Sequence, residues 1–112
     1  LELPAGKLEL GEDPFEAGKR ELEEETGTVA GKYYDLGKFY PTPGYCGEII
    51  HLYAASQLKS TAMNPDEDEF LEVEKIALDK AVDMVINGKI PDGKTQTLIM
   101  RVAEMKRRGI IE

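Results

Sequence analysis

The spacing of apolar side chains along the chain predicts three helices. Residues 78–88 and 94–109 repeat apolar positions every three or four residues, which is the period of an amphipathic helix, and each run ends at a glycine. Residues 14–26 are also predicted to be helical, and there Phe15 and Leu22 share the flank that would face the core. Turn signals divide the chain into short elements, without a low-complexity linker or an internal repeat.

A strand is predicted over residues 47–55, GEIIHLYAA. Alternation places Ile50 and Leu52 on one face of this strand and Ile49 and Tyr53 on the other. Because both faces carry apolar side chains, we expect the strand to be buried on both sides. Together with the helices, it predicts one compact α+β or α/β unit.

The ends of the first helix carry specific capping signals. Asp13 is an expected N-cap, Pro14 suits the first helical position, and Glu16 stands at the capping-box position. Gly27 supplies the C-terminal stop. The helix between them should therefore have about 13 residues.

The same helix concentrates carboxylates on one face. At 100° per residue, Glu21, Glu24 and Glu25 fall within one third of its circumference, and the small residues Ala17 and Gly18 beside them would let a loop approach closely. Like charges at these spacings cost about a few tenths of a kcal/mol each, which a divalent cation would more than offset. The face is therefore either a hard-oxygen metal site or a merely solvated acidic surface.

Composition and charge narrow the function classes. A chain of 112 residues with a net charge of −8 suits one soluble domain and repels a phosphate backbone, so nucleic-acid polymers are not expected partners. No apolar run approaches the roughly 18 residues of a membrane span. The single cysteine, Cys46, cannot form an internal disulfide, and a reducing cytoplasm is the compartment we expect.

The spacing of residues 6–28 favours the metal site over the solvated surface. The positions that define the spacing are Gly6, Glu12, Arg20, Glu21, Leu22, Glu24, Glu25 and Gly27. This pattern resembles the Nudix hydrolase signature at every defined position except Thr28, where the family prefers an aliphatic residue. The resemblance implies an α/β fold, namely an α/β/α sandwich with a mixed sheet and a loop–helix–loop catalytic motif. It also implies hydrolysis of a nucleoside diphosphate linked to another group.

The resemblance further assigns roles within this signature. Glu21, Glu24 and Glu25 would be the metal-binding acids, and Arg20 would orient them through an ion pair, so that Arg20 and Glu24 count among the catalytic residues. The implied cofactor is Mg²⁺, for which Mn²⁺ would substitute.

Flanking residues extend the likeness to the ADP-ribose pyrophosphatases. ELPAGKLELGE before the helix and GKFYPTPGYCGEIIHLYAA after it are similar to that subfamily. By this resemblance, the carbonyl of Ala5 and the carboxylate of Glu69 complete the metal cluster, and Glu67 acts as general base on the attacking water. Asp66 and Asp68 alternate with these residues, so a shift of one position would exchange the candidates.

The resemblance also suggests the substrate. Pro43, Gly44 and Glu48 lie where the subfamily would contact it, although an acid at a strand start is equally expected to be exposed. The implied reaction is Mg²⁺-dependent hydrolysis of ADP-ribose to AMP and ribose 5-phosphate. Two alternatives stay open: a Nudix hydrolase for another nucleoside diphosphate sugar or a dinucleotide, and a non-catalytic sensor of ADP-ribose.

The start of the chain departs from the subfamily. Its members usually carry, ahead of ELPAG, a strand region that pairs two subunits and supplies much of the adenine pocket. This chain begins at Leu1 without an initiator methionine, inside what resembles a strand. We therefore expect a single Nudix domain over residues 1–112 that is incomplete at its N-terminus, and a homodimer where the missing region is present.

Overall fold

The computed structural model describes residues 2–6, 8–42, 48–61 and 73–111. It contains three helices and two strands among them. In chain order these are α1 (Pro14–Thr26), β1 (Thr28–Phe39), β2 (Ile50–Ser60), α2 (Leu78–Ile86) and α3 (Gly93–Arg107). All three predicted helices are therefore present, each within two residues of its predicted bounds.

The two strands form a two-stranded sheet. Thr61, just after β2, donates its N–H to the carbonyl of Gly27, just before β1, at 2.8 Å, so the strands run antiparallel. The predicted strand exists, but it is shifted towards the C-terminus. Leu52 is 3% exposed, whereas Ile49 precedes the strand and is 44% exposed, so the expected burial on both faces is wrong at that residue. The mixed sheet of a full sandwich stays a prediction.

Contacts between residues divide the chain into two compact units. The helical unit comprises Leu1–Leu3, Gly37–Leu52 and Glu74–Glu112, and the site unit comprises Pro4–Leu36 and Tyr53–Val73. A single domain over residues 1–112 likewise stays a prediction.

The helical unit is built on the packing of α2 against α3. Its buried core consists of Ala81, Ile90 and Ile99, which are between 1% and 9% exposed. Leu78, Val82 and Val85 of α2 cover this core, because they recur with the helical period and so share one face of the helix.

The start of α3 also holds the N-terminal residues. Asp92 caps the helix by accepting the N–H of Thr95 at 3.0 Å and its hydroxyl at 2.6 Å. Thr95 is 1% exposed, and its hydroxyl oxygen accepts the N–H of Leu3 at 3.3 Å. Residues 2–6 form no strand, so the expectation of a strand at the chain start is wrong there: the amide of Leu3 bonds a side chain rather than a neighbouring strand.

In the site unit, α1 begins and ends as its sequence predicts. Asp13 accepts the N–H of Glu16 at 3.2 Å. Gly27 adopts the left-handed conformation, with φ of 64°, and its N–H bonds the carbonyl of Glu23 at 2.8 Å. These local contacts fix the register of the helix and therefore the direction of its acidic face.

Aromatic rings attach α1 to the sheet. The ring of Phe15 meets Tyr33 at a centroid distance of 5.8 Å and Tyr53 at 5.6 Å, both edge to face. Ala17 is buried at 5% exposure, and a Cβ at Gly18 would lie 3.1 Å from the Tyr53 ring. The prediction that these two small residues admit a loop is therefore wrong for Gly18, because its missing side chain makes room for Tyr53.

We expect Gly18→Ala to destabilise the protein by about 1 kcal/mol. Alanine is favoured over glycine within a helix by up to about 1 kcal/mol, but overpacking against the Tyr53 ring, which Phe15 holds, costs about 1–3 kcal/mol. Urea unfolding measures the net effect. The matched control is Gly93→Ala, because a Cβ at Gly93 would meet nothing within 4 Å. A stability for Gly18→Ala at or above that of the wild type would contradict the tight packing.

Candidate functional site

The acidic face of α1 is partly shielded from solvent. The side chain of Glu21 is 19% exposed and that of Glu24 is 49% exposed. Glu25, on the same face by the helical period, is half-buried. The predicted cluster therefore consists of side chains on one face of the helix that differ in their exposure to solvent.

Arg20 connects two of these carboxylates. Its Nη1 lies 3.0 Å from Oε1 of Glu21 and 2.9 Å from Oε2 of Glu24. The rest of its guanidinium binds Glu12 in a bidentate pair, with Nε to Oε2 at 2.8 Å and Nη2 to Oε1 at 2.9 Å. Arg20 thus orients Glu21 and Glu24 through ion pairs and is itself oriented by Glu12.

A tight turn before α1 positions Glu12. The N–H of Glu12 bonds the carbonyl of Glu9 at 3.0 Å, and the N–H of Glu9 bonds Oε1 of Glu12 at 3.0 Å. Gly11, with φ of 77°, supplies the left-handed residue that such a turn requires. The turn therefore places the Glu12 carboxylate within hydrogen-bonding distance of Arg20, which lies eight residues later in the sequence.

The charged pair shifts the pKa values of both partners. Hydrogen bonds from Arg20, and then from the backbone of Glu9, lower the pKa of Glu12 from 4.5 to about 2. The bond with Glu12 correspondingly raises the pKa of Arg20. Arg20 and Glu12 are consequently both charged at neutral pH.

This shift predicts a pH-dependent contribution to stability. Because the pKa of Glu12 is lower in the folded protein, its stabilising effect is full above pH 4.5 and is lost as the pH falls from 4.5 to about 2. As the pH is lowered over this range, the unfolding temperature of Glu12→Gln should therefore fall less steeply than that of the wild type. Glu16→Gln is the control, since the side chain of Glu16 is exposed and pairs with Lys19 at the longer distance of 3.5 Å. Parallel slopes for wild type and Glu12→Gln would contradict the assignment.

Gly6 provides the space for the Glu21 carboxylate. A Cβ at this position would overlap the Cδ and both oxygens of Glu21. The backbone of the loop before α1 therefore lies directly against the carboxylate, at a distance that only glycine allows. Ala5, the predicted carbonyl ligand, is exposed and immediately precedes this contact.

The structure describes only some of the predicted site residues. Glu67, Glu69, Pro43 and Gly44 are outside the described residues. Glu48 is exposed in the helical unit, where it lines a cavity of about 360 Å³ whose walls include Phe39, Ile50 and Lys94. The roles of all these residues stay predictions.

The donor chemistry fits a hard divalent cation, because carboxylate oxygens are the ligands that Mg²⁺ and Mn²⁺ prefer. Within the part of the chain that the structure describes, no three His, Cys, Asp or Glu side chains are grouped closely enough to hold a metal ion. Glu21 and Glu24 both contact Arg20, and one further predicted ligand, Glu69, lies outside the described residues. The complete ligand set stays a prediction.

The structure adds two supporting contacts that the residue pattern does not predict. Glu12 occupies a position of the signature, and the structure shows that it forms a bidentate pair with Arg20. Thr61 lies outside the signature, and its hydroxyl donates to the carbonyl of Gly27 at the end of α1. The sequence signal for the pair of Glu12 with Arg20 is an acid eight residues before an arginine across a glycine turn, and the sequence holds no corresponding signal for Thr61.

Comparison with known proteins decides the family. The NUDIX domain pattern matches residues 1–96, which is most of the chain and includes the whole of α1. The chain belongs to the NUDIX domain family. The Nudix resemblance drawn from residues 6–28 is thereby confirmed.

Curated relatives of this Nudix chain include two pyrophosphatases. It is 43% identical over 97 residues to the ADP-ribose pyrophosphatase of Bacillus subtilis (strain 168), covering 85% of this chain and 52% of that protein. It is 37% identical over 102 residues to the GDP-mannose pyrophosphatase of Yersinia enterocolitica, covering 88% of this chain and 53% of that protein. The chain thus spans about half the length of the curated relatives it matches.

A solved structure supports the Nudix fold. The crystal structure of an ADP compounds hydrolase superposes with a TM-score of 0.76 at 26% identity, covering 93% of this chain and 57% of that one. The predicted α/β class is confirmed by this match.

In the described part of the chain, no helix combines the length and apolar character needed to cross a membrane.

Proposed function

We propose that the chain carries the catalytic part of a divalent-metal-dependent pyrophosphohydrolase whose substrate is ADP-ribose. The supporting observation is the Arg20 arrangement: one guanidinium, held by Glu12, orients Glu21 and Glu24 on the helix that the Nudix pattern covers. A merely solvated acidic helix would not require this support. A cytoplasmic location, and a homodimer where the N-terminal strand region is present, belong to the same proposal.

The reaction is the attack of water on one phosphorus of the diphosphate, which breaks the bridging P–O bond. The products are AMP and ribose 5-phosphate. A bound Mg²⁺ would neutralise phosphate oxygens and acidify the water, which is what an anionic substrate and a hydroxide nucleophile need. Glu21, Glu24 and Glu25 are the residues that would hold the ion, with the Ala5 carbonyl and Glu69 completing the set.

The chain's own residues contribute orientation and proton transfer. Arg20 keeps the carboxylates of Glu21 and Glu24 aligned, so little reorganisation is needed when charge develops. Glu67 takes the proton from the attacking water, a role worth about 10²- to 10⁴-fold in rate. Asp66 and Asp68 are the alternatives for this role.

A second substrate class is favoured by one observation. The relative in Yersinia enterocolitica is a GDP-mannose pyrophosphatase at 37% identity, so a different nucleoside diphosphate sugar would suit the same site. Selectivity depends on contacts to the base and the sugar rather than on the acids of α1.

The test is chromatographic product analysis with ADP-ribose, ADP-glucose and GDP-mannose, each with Mg²⁺ and with a chelator. We expect AMP to appear fastest from ADP-ribose and only with Mg²⁺. GMP formed faster than AMP would favour the second class. Mn²⁺ binding without hydrolysis of any substrate would contradict enzymatic activity in this chain and favour a sensor.

A further inference from the structure

The carbonyl of Gly27 receives two hydrogen bonds from Thr61. The N–H donates at 2.8 Å and the side-chain hydroxyl donates at 3.1 Å, although the two residues are 34 positions apart. The first bond extends the pairing of β1 with β2 by one residue. The second is not required by strand pairing, so it is a specific attachment of Thr61 to the residue that ends α1.

The end of α1 is a place where such an attachment matters. The C-terminal end of a helix carries partial negative charge and is stabilised by basic side chains, but the last turn of α1 has none. It carries Glu23, Glu24 and Glu25 instead, whose charges oppose the dipole. The N–H of Gly27 closes the last turn on the carbonyl of Glu23 at 2.8 Å, so the two bonds from Thr61 to Gly27 attach this helix end to the end of β2.

We propose that Thr61 is a positioning residue for the metal site, which it serves by holding the last turn of α1, and with it Glu24 and Glu25, in a fixed place. The inference rests on the proposed metal-dependent function.

The test uses three variants and Mn²⁺ alone as the probe. Thr61→Val keeps the N–H bond and the shape but removes the hydroxyl, while Thr61→Ser restores a hydroxyl. Thr97→Val is the matched control, since the Thr97 hydroxyl also donates to a carbonyl, that of Gly93 at 2.9 Å. The Mn²⁺ dissociation constant of each protein is measured by electron paramagnetic resonance, at a temperature well below that at which the protein unfolds. The unfolding temperature of each protein is measured separately.

Thr61→Val should bind Mn²⁺ roughly three- to tenfold more weakly, because the last turn of α1 must then be ordered when the ion binds, and the upper limit of this factor is about that of one ordinary hydrogen bond. Thr61→Ser should stay within about twofold of the wild type, as should Thr97→Val. A purely structural role would lower the unfolding temperature of Thr61→Val without changing its Mn²⁺ affinity. That result, or an equal shift in Thr97→Val, would overturn the inference, and so would a wild type that binds no Mn²⁺.

Activity assays separate this inference from the proposed function. If the wild type hydrolyses ADP-ribose but Thr61→Val binds Mn²⁺ normally, only the inference fails. If the wild type is inactive on every substrate but the affinities shift as expected, only the proposed function fails.

Discussion

Glu25→Gln should lower the turnover of ADP-ribose about 100-fold or more, since even replacing a residue that only supports a metal ligand typically costs 10- to 100-fold. Glutamine keeps the length and shape of the side chain but removes the charge that a divalent cation needs. Glu25 is half-buried on the same face of α1 as Glu21 and Glu24. The loss should therefore appear in kcat and in Mn²⁺ affinity, with the circular dichroism spectrum unchanged.

The matched control for this substitution is Glu23→Gln. Glu23 belongs to the same turn of α1, but it points about 200° away from Glu21 around the helix axis. Both variants remove one negative charge from the same helix end, so a general effect of charge would change the turnover of both variants equally. Turnover of Glu25→Gln within a fewfold of Glu23→Gln would show that the carboxylates of α1 do not hold the metal.

The parts of the fold that the sequence predicted are those set by local contacts. Asp13, Pro14 and Gly27 determine where α1 starts and stops within a few residues of chain, so its bounds could be read directly. The start of β2 was misplaced, because the apolar run continues through Ile49 although that residue is exposed. An apolar pattern marks what can be buried, and the tertiary contacts decide what is buried.

In the candidate site, too, the features set by local sequence could be predicted and those set by tertiary contacts could not. The carboxylate face of α1 follows from helical geometry, and the spacing of the signature identified it. The bonds of Arg20 to Glu12 and of Thr61 to Gly27 depend on a turn and on strand pairing, which a residue pattern does not specify. The sequence therefore predicts which acids would hold a metal, and the structure shows the contacts that position Glu21 and Glu24.

Gly6→Ala should separate function from stability. Its Cβ would overlap the carboxylate of Glu21, which is the far end of a flexible side chain and can move away at low cost. We therefore expect the free energy of unfolding to change by less than about 1 kcal/mol, because no buried backbone has to shift. Moving the carboxylate would break its 3.0 Å contact with Arg20 and displace a predicted metal ligand, so turnover and Mn²⁺ affinity should each fall roughly 10- to 100-fold.

Two comparisons make the Gly6→Ala result specific. Gly93→Ala adds the same methyl group where nothing lies within 4 Å, and it should leave turnover and Mn²⁺ affinity within about twofold of the wild type. Glu21→Gln should lower Mn²⁺ affinity as strongly as Gly6→Ala, and the double variant should be little worse than either single one, because both substitutions remove the same ligand. Additive losses would mean that Gly6 acts through some group other than Glu21. Normal turnover in Gly6→Ala would mean that the position of Glu21 against the loop is not the one used in the reaction.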